Sequence, residues 1–262
     1  MIALLRSELT KTLTTRMWWG LLVGAVLLTA LQAVATAAVA GSAPGMGAPA
    51  SPGLESGETL RQAFAGSAFN GAYLFALVMG VLAITGEYRH QTVTPTFLAT
   101  PRRARVIVAK ALAQVAVGAV FGLVALLTAL VGAGTVIALR GASMGLDDGA
   151  LWRAMVLVVL AVSLWTVLGL GIGTLLRNQV AAVLGAIGLG LIIEPLLGLL
   201  LTVLELDAVA KFLPSAASSA VLDPGTAGFD LLPWWAGALV MTAYAVVFAA
   251  LGVLLSVRRD IT

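Results

Sequence analysis

The chain has 262 residues, of which 60% are hydrophobic and only 10% charged, with 15 Lys/Arg against 12 Asp/Glu for a net charge of +3. Soluble domains carry about 25% charged residues, so this chain cannot cover a water-facing surface, and with no large polar block it has no room for a separate soluble catalytic domain. Its basic residues flank apolar runs, which points to no nucleic-acid partner, and the lack of cysteine excludes disulfides and thiolate metal sites.

Repeated apolar runs match a hydrocarbon core of about 30 Å and predict an all-α polytopic membrane protein with six transmembrane helices and an N-terminal amphipathic interfacial helix, all in one transmembrane domain, 1–262. Residues 1–16 supply the interfacial helix. Ile2, Leu5, Leu9 and Leu13 recur at helical spacing, with Arg6, Glu8 and Lys11 away from the centre of that face, the pattern of a helix lying apolar side down. The first span, 17–40, starts through Trp18 and Trp19 at headgroup level. Ala38-Val39-Ala40 resembles a cleavage site, but the apolar stretch exceeds the roughly 7–15 residues of a signal peptide, so a retained span is expected. A Pro/Gly/Ser-rich loop with Pro44, Pro49 and Pro52 then runs to Ala65.

The second span covers 66–85 and the third 107–139, roughly 50 Å long at 1.5 Å per residue, so the third must tilt or project. A short loop with Asp147 and Asp148 leads to the fourth span, 152–176. Arg177-Asn178-Gln179 turns tightly into the fifth, 180–204. Residues 205–233 form an external segment whose KFLPSAASSAVL stretch is too short to span and apolar enough to lie at, or dip into, the interface. The sixth span, 234–257, ends at Arg258-Arg259.

Between spans two and three lies GEYRHQTVTPTFLATPRRARVIVAK, Gly86 to Lys110, with 86–106 as its loop proper. It holds five basic residues, Arg89, Arg102, Arg103, Arg105 and Lys110, against one acid, Glu87. Pro95 and Pro101 disfavour helix at the residues before them and break the loop into short rigid pieces. Glu87 and Tyr88 sit at the membrane edge, where Glu87 can pair with a partner arginine or with the chain's own N-terminal helix, so the loop reads as a shaped docking surface. Arg102, Arg103 and Arg105 are placed to meet membrane phosphates. Placing both termini and the loops after spans two and four on one side gathers eleven of the fifteen basic residues there: Arg6, Lys11, Arg16, Arg89, Arg102, Arg103, Arg105, Lys110, Arg177, Arg258 and Arg259. Lys/Arg excess marks the cytoplasmic side, which predicts that both termini are cytoplasmic.

The opening RSELTKTLTTRMWW, the loop GEYRHQTVTPTFLATPRRARVIVAK and the Glu194-Pro195 pair together resemble the ABC-2-type permeases of bacterial ABC exporters, especially actinobacterial ones. The resemblance covers the whole chain. It implies a connecting role for the N-terminal helix and a coupling helix in the loop, seated on a separate ATP-binding subunit through Glu87, Tyr88, Arg89, Pro95 and Pro101. It also implies that the segment between spans five and six packs near the outer mouth.

Nucleotide chemistry is missing from this chain. Lys11, Lys110 and Lys211 are its only lysines and none follows glycine, so no G-x-x-x-x-G-K-[ST] phosphate loop exists. No cofactor is expected on this chain; ATP and Mg would belong to the partner. His90 is the sole histidine and builds no metal site by itself.

Glu194 is the one ionisable residue deep in a span, about 21 Å along the fifth helix, beside Pro195, which can kink it. Such a carboxylate is a pathway candidate or a hydrogen-bonded structural joint. Gly20/Gly24, Gly118/Gly122 and Gly169/Gly173 each read GxxxG, a close-packing motif. The expected function is the permease subunit of an exporter for an apolar or amphipathic cargo such as a drug, lipid or lipopeptide, paired with a second permease copy. An ion-coupled secondary transporter with Glu194 as proton site is the alternative. An intramembrane enzyme lacks a nucleophile–base pair.

Overall fold

The computed structural model describes residues 2–42, 53–89, 103–176, 178–222 and 231–258, with the backbone alone at 103, 104, 107, 249 and 252–258. Among them every regular element is helical.

α1 (Ile2–Thr14) turns a corner at Thr15 and Arg16 into α2 (Met17–Val39). The corner is tied by Trp18, whose indole N–H donates to the Leu13 carbonyl at 2.9 Å, one of the carbonyls that a helix end leaves unpaired. At the far end of α2, the Arg140 guanidinium donates to the carbonyls of Ala38 and Ala40, where a cation also meets the negative end of the helix dipole.

α3 (Gly57–Arg61) continues through a π-helical turn, Gln62–Gly66, into α4 (Ser67–Arg89) as one apolar rod of 33 residues. The span therefore begins well before Gly66, inside the stretch that its glycine, serine and proline content assigned to a loop. Burial of Ala63, Phe64 and Ala65 in the π turn, and an Arg61–Asp148 ion pair at 3.5 Å, hold this extension. α5 (Arg103–Leu139) has 37 residues, about 55 Å. Because α4 runs to Arg89 and α5 starts at Arg103, helix occupies both margins of the loop placed at 86–106.

α6 (Gly149–Leu175) is capped by Asp148, whose side chain accepts from the Ala150 N–H at 2.8 Å. Together α4 and α6 form the spine of the bundle, each buried along most of its length. Glycine sets their approach: a Cβ at Gly80 would run into the Thr166 carbonyl, and one at Gly169 into the Leu77 carbonyl. Of the GxxxG pairs, Gly118/Gly122 pack α5 on α6 and Gly169/Gly173 pack α6 on α4, whereas Gly20 faces open space.

α7 (Gln179–Gly188), a π turn at Leu189–Ile193 and α8 (Glu194–Val203) form the next rod. Pro195 lies in the first turn of α8, directly after the widened turn, where its missing N–H is tolerated. The rod ends with Leu206 N–H on the Leu201 carbonyl and Glu205 N–H on the Thr202 carbonyl. That pairing is a Schellman motif, and it puts Glu205 at φ 57°, a left-handed position that usually takes glycine.

α9 (Asp207–Ala210) and α10 (Pro214–Leu222) precede α11 (Trp234–Arg258). Among the described residues five helical rods are long and apolar enough to cross a membrane, and α11 adds a further apolar helix of 25 residues. Within the segment 205–233, the described helix α10 dips into the bundle. Ser218 of α10 accepts from the Trp165 indole N–H at 2.9 Å, and Trp165 lies sixteen residues into α6, about 24 Å down its axis. Small side chains at Ala216, Ala217, Ser218 and Ala220, all buried, allow this short helix to sink between its neighbours.

Candidate functional site

The site is built from α1 outward. Its sequence divides the helix into three faces. Ile2 and Leu13 are exposed and Leu5 and Leu9 half-buried on the apolar face. Glu8 and Thr12, one turn apart, are buried against the bundle. Ala3, Arg6, Ser7, Thr10 and Thr14 line a polar outer groove. Toward its own protein the helix thus turns charge at Glu8 beside hydrocarbon at Leu9, which packs against the core.

That charge closes a four-residue cluster. The Lys110 ammonium, 2% exposed, donates to Glu8 Oε2, to Glu87 Oε1 at 3.0 Å and to the Ala83 carbonyl at 3.3 Å. Three donors meet three acceptors, the full capacity of an ammonium. Lys11 donates to Glu8 Oε1 at 2.7 Å and to Glu87 Oε1 at 2.9 Å. Two acids and two bases leave no net charge, as burial at this depth demands. The cluster joins α1 to the last turn of α4 and the first turns of α5, the two ends that flank residues 90–102.

Burial alone would push the Glu8 carboxyl up. The neighbouring Lys110 ammonium, with hydrogen bonds from Lys11 and Lys110, outweighs it and holds the group below its ordinary value. For Lys11, burial works against the charged form, but hydrogen bonds to Glu8 and Glu87 and their charges keep it above its ordinary value.

Of the loop residues singled out by sequence, Glu87 is in the cluster and Tyr88 is half-buried beside it. Arg89 is exposed and donates to Gln179 Oε1 at 3.4 Å, across to α7. Arg105 is exposed on the first turn of α5. Pro95, Pro101, Arg102 and His90 lie outside the described residues, as does the side chain of Arg103. Glu8 and Lys110 were not singled out, although a signal existed. Lys110 interrupts the apolar run Val108-Ala109-Lys110-Ala111-Leu112, and a lysine there needs an acid from elsewhere. Among the described residues no cluster of His, Asp and Glu could hold a metal ion.

Glu194 occupies a second polar point toward the opposite end of the bundle. It is buried, and its Oε1 accepts from the Ser215 backbone N–H in the first turn of α10. A carboxylate there satisfies an unpaired helix donor and meets the positive end of the helix dipole. Close by, Phe69 and Tyr73 stack at 5.2 Å and Trp165 meets both edge-on. Pro195 makes no polar contact of its own and serves the rod by fitting its first turn.

A family model described as ABC-2 family transporter protein matches residues 2–261. Comparison with curated proteins gives no match.

Proposed function

The chain belongs to the ABC-2 transporter family, and on that premise we propose that it is the membrane-spanning subunit of an ATP-driven exporter whose ATP hydrolysis occurs on a separate ABC subunit. The observation that carries this reading is the Glu8–Lys11–Glu87–Lys110 cluster. A force applied to residues 90–102 reaches α4 and α5 together, and the cluster ties both to α1. α4 is half of the buried spine, so its displacement must move α6. Tyr88, Pro95 and Pro101 belong to the docking face, which Glu87 supports from the buried cluster, and Arg102, Arg103 and Arg105 belong to the lipid-phosphate face.

The transport path runs between two permease copies, since six helices packed around a buried spine leave little room for a path inside one. The cargo is apolar or amphipathic and moves outward, and both termini are cytoplasmic in the plasma membrane.

The test is purification of the tagged permease with its ATPase in lipid, followed by ATP hydrolysis with and without cargo. Glu87→Gln removes one charge from the cluster while keeping its shape. It is expected to insert and retain ATPase, yet lose about tenfold of cargo-stimulated hydrolysis, within the range of ordinary coupling energies. Normal stimulation in Glu87→Gln would reduce the cluster to a structural tie. Topology is checked separately, because the native chain has no cysteine. Arg103→Cys should resist an impermeant maleimide in intact cells and react after permeabilisation; labelling from outside would reverse the orientation.

A further inference from the structure

At the α1 end of the bundle, a cleft of about 440 Å³ opens between α2, α4 and α7. Its walls are apolar, with Gly20 and Leu21 on one side, Val78 at the back and Val183 and Leu184 on the other. Arg89 stands at its mouth. From Val78 to Arg89 is eleven residues of helix, about 16 Å, or half of a hydrocarbon core of about 30 Å. The cleft is therefore one leaflet deep. It opens beside α2 and α7, the least buried helices, so lipid chains border it in a bilayer.

Arg89 differs from the other basic residues near this end. Lys11 and Lys110 are neutralised by Glu8 and Glu87. Arg89 donates only to the neutral Gln179 amide, at 3.4 Å, and joins no ion pair among the described residues. A guanidinium presents a planar fork of donors that suits a phosphate diester. The glycine at position 20 adds space: a Cβ there would meet nothing within 4 Å.

A second groove tests which of these features matters. Between α5 and α6, Leu126, Leu130, Trp152, Val156 and Ser163 line a space of about 510 Å³, comparable in size and equally apolar, but with no charged residue on its wall.

From the juxtaposition of a leaflet-deep apolar cleft with an arginine unpaired by any described acid at its interfacial rim, we infer that the α2–α4–α7 cleft is a binding site for an anionic phospholipid of that leaflet. One acyl chain fills the cleft and Arg89 holds the phosphate. This assigns Arg89 to the bilayer instead of the docking face, and it stands independently of any ATPase.

The experiment uses the full chain in phosphatidylcholine bilayers doped with photoactivatable phosphatidylglycerol or with phosphatidylcholine bearing the same chains. Adducts are mapped by mass spectrometry. In the wild type, phosphatidylglycerol should label the Leu21 and Val183 region about fivefold more than phosphatidylcholine, as one basic contact near a membrane surface provides. The α5–α6 groove should show no headgroup preference. Arg89→Gln should bring the cleft's two lipids to parity. Gly20→Phe, which fills open space, should reduce both lipids in the cleft and leave the other groove unchanged. Equal labelling by both lipids in the wild type, a preference that survives Arg89→Gln, or adducts showing a second copy of the chain seated in the cleft would each overturn the assignment.

Discussion

Lys110→Met is expected to unseat α1 from the bundle. The substitution keeps the volume of the side chain but leaves Glu8 and Glu87, both buried, with only the half-exposed Lys11 between them. Breaking a buried ion pair by removing one partner costs about 3–5 kcal/mol, a large share of the roughly 5–15 kcal/mol that holds a typical fold. The local contact yields first, because α1 meets the bundle through few buried residues. Thr12, buried on the same face, provides the measurement. Thr12→Cys should be protected from a water-soluble maleimide in the parent chain and become reactive when combined with Lys110→Met. Equal protection in both would show that α1 is held by other contacts. Lys110→Arg should lie between, since the planar guanidinium cannot reproduce three convergent donors.

The same cluster gives a pH response with a definite sign. Glu8 titrates below its ordinary value in the folded protein, so its contribution is complete above about pH 5 and lost as pH falls through the folded value. Lys11 titrates above its ordinary value. Its contribution is complete below about pH 10 and lost as pH rises through the folded value, with a shallow limb because Lys11 is half-exposed and screened. Protection of Thr12→Cys should therefore be flat between those limits and fall in acid. Glu8→Gln should abolish the acid limb at the expense of a lower plateau, and an unaltered acid limb would place the titrating group elsewhere.

Glu194→Leu should release α10, whereas Glu194→Gln should not. Glutamine retains an acceptor for the Ser215 N–H; leucine leaves that donor buried without one, at about 1–3 kcal/mol. Ser219→Cys, on α10, should react faster with a small maleimide in the leucine variant and at the parental rate in the glutamine variant. Transport then separates a joint from a proton site. If Glu194 carries a proton during the cycle, Glu194→Gln should flatten the pH dependence of transport while α10 stays seated. Parental pH dependence in Glu194→Gln would leave Glu194 as the cap of α10.

Hydropathy was enough to locate the rods, because each long apolar run has one stable fate in a bilayer. It misjudged the start of α3, where composition rich in glycine, serine and proline resembles a loop and only burial of Phe64 against distant helices makes it helical. It brought α10 to the interface without its partners, since nothing local in PSAASSAVL announces that Trp165 and Glu194 await its polar groups. At the site, Glu87 stood out as the lone acid of a basic stretch. Its pairing with the N-terminal helix was one of two partners the sequence offered, and Lys11 supplies it; the Glu8–Lys110 pair was not legible, because it requires knowing that α1 folds back beneath α4 and α5. GxxxG spacing was equally ambiguous: Gly169 and Gly20 sit in the same motif, yet one meets a carbonyl and the other faces open space.

The span of the ionic cluster along the chain bears on how the protein is made. Glu8 and Lys110 are 102 positions apart, and Lys11 and Glu87 are 76 apart. During synthesis α1 leaves the ribosome ahead of α4 and α5, so its buried ion pairs have no partner until those spans have been inserted. In the interval its acid and base stay hydrated at the membrane surface, where the apolar face of the helix can hold it. An element translated ahead of the spans it binds is thus seated only after them. A nascent chain arrested before Lys110 should carry an α1 that water still reaches from every polar side.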